Sequence, residues 1–229
     1  MVTIFYRSSG AILMSQSMAD LDTFKMDDVI WIDLFSPSGD EKRATEKFLN
    51  TEIQSRARAE EIESSSRFSE TETAIFANTN FLIPGPEEYS MEPVSFTLVE
   101  NVLTTLRDVP LRSFTELQRK MQALPRLFPN GYWVFVSIMD QRVDLDADMI
   151  EDLTVEITSL SKTLTNISDL DEDILIAIKN LQEKTMLIRE NIVDKQRVIS
   201  SVLRSEMFPA ELKPKLSMVV KDINSLYEH

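Results

Sequence analysis

The sequence predicts an α+β fold, with strands and short helices in the first half and long antiparallel helices in the second. Three observations predict it. Residues 1 to about 107 carry short apolar runs punctuated by Pro, Gly, Ser and Asp, the pattern of strands and turns. Beyond Leu111 the apolar residues recur at steps of three and four, the pattern of helices. The chain has 229 residues, 43% of them hydrophobic, which is enough to bury a full core.

The elements follow in order. Val2–Tyr6, Ile12–Met14 and Val29–Leu34 read as strands from their dense Val, Ile, Trp and Leu content. Ser36-Pro37-Ser38-Gly39-Asp40 is a turn, and a charged helix rich in Glu, Lys, Arg and Ala follows it. A second short helix ends in the acids and serines before Phe68. Ala74–Leu82 is a longer strand, with Ala74, Phe76, Asn78 and Asn80 on one face and Ile75, Ala77, Thr79 and Phe81 on the other. The Pro- and Gly-containing stretch from Pro84 to Pro93 is expected as a flexible loop. Val94–Val99 and Val102–Leu106 form a hairpin across Glu100-Asn101.

The helical half begins with Arg112–Leu124, closed by Pro125. After the turn Pro129-Asn130-Gly131, a long helix runs from Tyr132 to about Asn166 with a seam at Met149, Leu153, Ile157, Leu160, Leu164 and Ile167. An acidic link, residues 168–173, offers Ser168 or Asp169 as an N-cap. It lacks the pattern of a calcium loop and reads as a solvated connection. The next helix repeats the seam at Ile174, Ile178, Leu181, Ile188, Ile192, Ile199 and Val202, so the two should fold back on each other. From Pro209 a third helix carries Leu212, Leu216, Val219, Ile223 and Leu226, with Pro214 in its first turn. Trp31, Trp133, Phe135 and Phe81 are expected in the core, and the eleven methionines as core filler.

Composition narrows the chemistry. The chain has 38 Asp+Glu against 24 Lys+Arg, a net charge of -14, which argues against a nucleic-acid surface and favours cationic partners or solubility. There is no cysteine, and the single histidine is His229, so disulfides, thiolate zinc and a histidine-based triad are excluded. The four glycines are too scattered for a phosphate-cradling loop. Arg56, Arg58 and Arg67 each have acids nearby in sequence, so ion pairing is expected rather than an anion site. No apolar run approaches the ~20 residues of a membrane span, and the chain is expected to be soluble as given. An enzyme is not expected, because no positioned nucleophile is found.

The order and spacing of several pieces resemble the N-terminal cytoplasmic domain of the CorA family of magnesium transporters, in its Gram-negative bacterial branch. They are Trp31-Ile32-Asp33-Leu34, Pro37, Asp40-Glu41, Glu60-Glu61-Ile62-Glu63 and Ser66-Arg67-Phe68, then Phe96-Thr97-Leu98 with Leu103–Arg107, and Val219–Ile223. The resemblance implies an α/β/α sandwich with a mixed sheet over residues 1–127. A long antiparallel helix pair over 128–208 and a stalk helix over 209–229 would complete the chain. It implies truncation before two membrane spans, the first of them followed by a Gly-Met-Asn signature absent here, and a homopentamer in the full-length protein. It implies a sensing and gating role in magnesium transport, with cobalt or nickel as further cargo, at the cytoplasmic face of the inner membrane. Bound Mg2+ between protomers would favour the closed state.

Carried across residue by residue, the resemblance gives four metal-site candidates. Asp222 is the stalk-helix acid facing the neighbouring protomer, and Glu61 is its partner across the interface. Glu60 and Asp140 belong to a second, nearby site. The physical logic is that facing carboxylates repel, and a hard dication between them reverses the sign of that interaction. Two alternatives stay open, the zinc-transporting branch of the same superfamily and a soluble helical scaffold.

Overall fold

The computed structural model describes residues 1–54, 67–85, 88–164 and 172–227. Its centre is a seven-stranded sheet in the order β2-β1-β3-β7-β6-β5-β4. The strands are β1 (Val2–Ser8), β2 (Ala11–Ser15), β3 (Val29–Phe35), β4 (Phe68–Glu70), β5 (Ala74–Pro84), β6 (Tyr89–Val99) and β7 (Val102–Arg107). β3 and β7 pair in parallel and every other neighbouring pair is antiparallel, so the sheet is mixed. The β1–β2 hairpin turns on Ser9 and Gly10, both at positive φ, as a two-residue hairpin turn requires.

Helices cover both faces. Ile4, Ile32, Leu34, Ala74 and Val99 form a core on one side with Leu49 of α1 (Gly39–Leu49). The larger core, on the other side, joins Trp31, Phe81 and Phe96 to four helices. These are α2 (Arg112–Ala123), α3 (Gly131–Leu164), α4 (Glu172–Arg204) and α5 (Lys213–Tyr227). Full burial of β7, and of β3 up to its last residue, follows from this double coverage. The α+β architecture read from the sequence is therefore present, with the two-sided faces of β5 as expected.

Local signals position these elements. Ser38 caps α1 in a reciprocal pair with Glu41, the capping box. The Gly131 N–H donates to the Asn101 carbonyl at 2.7 Å. A Cβ there would lie 2.2 Å from the Leu103 nitrogen, so only glycine lets α3 start against the β6–β7 hairpin.

Buried charges tie the layers together. Asp33 takes two hydrogen bonds from Arg107, at 3.1 and 2.7 Å, and one from Thr105 at 2.9 Å. Between the sheet and the long helices, Asp146 pairs with Arg142 at 2.9 Å and with Lys195 at 3.0 Å. Lys195 also donates to Asn191, and Arg142 to the Leu82 carbonyl. Next to them, Asp194 accepts from Thr79 at 2.8 Å and from the Asn80 N–H at 3.0 Å, and it pairs with Arg67.

Several expectations need correction. The stretch from Pro84 to Pro93 is not all loop, since β5 runs to Pro84 and β6 starts at Tyr89. Pro93 is tolerated because β7 covers only Ser95–Val99 of β6, so there β6 is an edge. β4 gives no recognisable sequence signal at three residues. The α3 seam is buried at Met149 and Leu153, but Ile157 is 44% exposed, where it lines an open groove between α3, α4 and α5. Met139 and Met149 are core, whereas Met186 and Met218 are exposed. The short helix expected before Phe68 and the acidic link's cap fall on residues 55–66 and 165–171, outside the described residues. Among the described residues no helix is long and apolar enough to cross a membrane.

Candidate metal centre

Two of the four predicted acids are described, and the fold brings them to one place. Asp140 of α3 and Asp222 of α5 line a groove of about 340 Å³ with Lys120 of α2, Trp133 and Ser137 of α3, and Lys215 of α5. Helical spacing explains the convergence. Trp133, Ser137 and Asp140 are four and three residues apart on α3, and Lys215 and Asp222 are seven apart on α5, so each set shares a face. The buried stripe Leu216, Val219 and Ile223 seats α5 on the core and leaves Asp222 at the rim. Glu60 and Glu61 lie outside the described residues.

The electrostatics favour a cation. Burial raises the Asp140 carboxyl above its ordinary value, and the nearby Asp144 and Asp222 carboxylates push the same way. The ammonium groups of Lys120 and Lys215 oppose the rise. Ionised Asp140 therefore sits in a neighbourhood that already repels it, and an added positive charge relieves that repulsion. The groove carries tethered cations of its own. Lys215 Nζ stands 3.9 Å from the centroid of the Trp133 ring, a cation–π contact. Trp133 packs against the core as its sequence reading expects, but only in part, since it also forms the groove wall, and its indole Nε1 is buried with no hydrogen-bond partner among the described residues.

The donor set suits a hard ion, since Asp140, Asp222 and Ser137 offer only oxygen. It is also partial. Among the described residues no group of three or more Asp, Glu, His or Cys is placed to hold a metal. Mg2+ seeks six oxygens and keeps several waters, so two carboxylates fit a hydrated ion or half of a shared site. Sequence reasoning missed Trp133, Lys120 and Lys215 here. Lys215 and Trp133 each lie seven residues before an acid already singled out, and that spacing was the available signal.

Comparison with known proteins gives the family and the fold. The family model described as CorA-like Mg2+ transporter protein matches residues 26–229. The magnesium transport protein CorA of Wolinella succinogenes is 33% identical over 234 residues, spanning 100% of this chain and 73% of that protein. Among solved structures, the soluble domain of CorA from Methanocaldococcus jannaschii superposes with a TM-score of 0.79 at 14% identity, covering 100% of this chain and 90% of that one. The ZntB cytoplasmic domain from Vibrio parahaemolyticus gives 0.69 at 17% identity, covering 99% and 88%. At these identities the two structures speak for the fold alone, and they match the mixed-sheet α+β architecture.

Proposed function

The chain belongs to the CorA-like Mg2+ transporter family, and from that premise we propose that it is the cytoplasmic sensing and gating part of a magnesium transporter. Magnesium is the proposed cargo, with cobalt and nickel as further cargo. A regulatory Mg2+ between protomers of a homopentamer favours the closed state. One observation supports the sensing role most directly: Asp140 and Asp222, far apart in sequence, share one groove whose electrostatics call for positive charge.

A bound dication would supply charge neutralisation and a template of ordered water. The chain's own residues do the rest. Asp140 and Asp222 accept hydrogen bonds from a hydrated ion, and Lys120 and Lys215 offset part of their charge while the ion is away. Glu61 of a neighbouring protomer would complete the oxygen set beside Asp222, and Glu60 that of the second, nearby site with Asp140. Without the ion, facing acids push the subunits apart and the ring loosens.

The zinc-transporting alternative finds less support. Zinc is best held by His and Cys, and the chain has no Cys and one His, at its last position. A soluble scaffold is disfavoured by the 33% identity to a named magnesium transport protein across the whole chain.

The test is thermal stability and assembly state of the chain against MgCl2. A ligand that prefers the folded or assembled state stabilises it by about 2.7 kcal/mol at a hundredfold excess over its Kd. The expected result is a saturable upward shift that grows with protein concentration and is lost in Asp222→Asn and Asp140→Asn. A flat response up to tens of millimolar Mg2+, at protein concentrations where the chain assembles, refutes a site in this chain. In the full-length protein, Glu61→Gln with Asp222→Asn should abolish inhibition by internal Mg2+.

A further inference from the structure

A second groove, of about 660 Å³, has the opposite character. Among the described residues that line it, Arg67, Arg197 and Arg204 are basic, Gln196, Ser200 and Ser201 are polar, and none is acidic. That composition is unexpected in a chain of net charge -14 with 38 acids, where a groove without one is against the average. Arg197, Ser200, Ser201 and Arg204 repeat at steps of three, one and three along α4, so they form one stripe. The two arginines stand about 10 Å apart along the helix axis, at about 1.5 Å per residue.

The three guanidinium groups are in different states. Arg67 is braced, with Nε 2.8 Å from Asp194 Oδ1 and Nη1 donating to Asp194 Oδ2 at 3.2 Å. Asp194 is itself fixed by Thr79 and the Asn80 N–H. Arg67 is therefore held by the Nη1 hydrogen bond and the ion pair with Asp194, while its Nε makes no hydrogen bond with any described residue. Arg204 donates to the Ser201 hydroxyl at 3.3 Å. Neither Arg197 nor Arg204 forms an ion pair with any described residue, in a protein where acids outnumber bases. Glu70, in the strand next to Arg67, is engaged by the Ser205 hydroxyl at 2.6 Å.

We propose that this groove binds a soluble polyphosphate anion, such as the phosphate chain of a nucleotide, between Arg197 and Arg204, with Ser200 and Ser201 donating to the bridging stretch and Arg67 closing the third side. Guanidinium forks recognise phosphate oxygens in pairs, and hydroxyls supply the remaining donors. A single carboxylate spans too little of the distance between the two arginines to engage both. An extended chain of two or three phosphates fits it.

The experiment is calorimetric titration of the 229-residue chain with sodium tripolyphosphate in metal-free buffer, at low and at physiological salt. The expected result is one-to-one binding that weakens with salt. It should weaken about tenfold or more in each of Arg197→Gln and Arg204→Gln, the worth of a charged hydrogen bond. Arg126→Gln, an exposed change outside the groove, should leave the affinity as it was. Both groove arginines are exposed, so these variants keep the fold, which circular dichroism verifies. No binding at about 1 mM, equal losses in all three variants, or capture by anionic lipid vesicles without tripolyphosphate binding would each overturn the assignment.

Discussion

Replacing Asp146 with Asn should destabilise the fold by about 3–5 kcal/mol, the cost of stripping a buried ion cluster of its counter-charge. The structure makes Asp146 the hinge of the cluster. Its side chain is 1% exposed and faces Arg142 at 2.9 Å and Lys195 at 3.0 Å, both buried. Asn keeps the shape but leaves two cations facing each other, with the Phe81 ring as shared company. In a chain of this length each kcal/mol moves the midpoint by about 2–4 °C, so the melting temperature should fall by roughly 6–20 °C. Urea unfolding followed by circular dichroism measures the loss directly.

The pH dependence sharpens the reasoning. Burial lowers the Lys195 ammonium from 10.5 to about 8, against the pull of Asp146. Below pH 8 the folded chain carries a protonated Lys195 that its surroundings disfavour. Between pH 8 and 10.5 the unfolded chain binds the proton more than the folded one, so this group's contribution to stability rises with pH, by about 3 kcal/mol at most. Without Asp146 the folded ammonium drops lower still. The deficit of Asp146→Asn should therefore be largest in acid and neutral buffer and shrink as pH approaches 8. Lys195→Met, which leaves Arg142 and Asp146 matched, should stay within about 1–2 kcal/mol of the parent at neutral pH and lose the alkaline gain. A loss below about 1 kcal/mol for Asp146→Asn, flat with pH, would show that water reaches the cluster and would refute the argument.

Two further changes test other joints of the molecule. Gly131→Ala drives a Cβ into the backbone of the β6–β7 hairpin. It should cost about 1–3 kcal/mol or more, read by the same urea titration, and an unchanged midpoint would mean that the helix start shifts freely. Lys215→Gln removes the tethered ammonium from the groove wall. It should tighten the apparent Mg2+ midpoint in the thermal assay by about two- to fivefold, and a weaker midpoint would mean that Lys215 supports the ion instead of competing with it.

The fold was legible where one period ran uninterrupted. The three-four steps through Leu212–Ile223 recorded which side meets the core, and the structure agrees, while the alternation in Ala74–Leu82 recorded two faces, both of which are largely buried. The N-terminal part of β6 was illegible because Pro and acids there signal a loop, and only the absence of β7 beside it makes a strand tolerable. Trp133 was legible in part. Its neighbours Tyr132 and Val134 are buried, while Trp133 packs on the core only partly and also meets Lys215 in the groove. The two placed acids were legible only through family resemblance, since nothing in a chain with 38 carboxylates marks Asp140 or Asp222 by composition. The buried pairs Asp146–Lys195 and Asp194–Arg67 had no sequence signal, because their partners are remote in the chain.

The groove's own lysines bear on why a divalent ion would be needed. Asp140, Asp144 and Asp222 set three negative charges against Lys120 and Lys215. Within one chain the two lysines offset most of that charge and leave an excess of negative charge, from which a monovalent cation would gain little. Two more acids brought up by a neighbouring subunit would add to that excess, and the two lysines supply no further charge to answer them. A small ion of charge two answers both at once, and its water shell spans a gap that side chains of two subunits do not close directly. On the proposed reading, the tethered ammonium groups thus keep the single chain quiet toward Mg2+ and reserve the ion's effect for the assembled state.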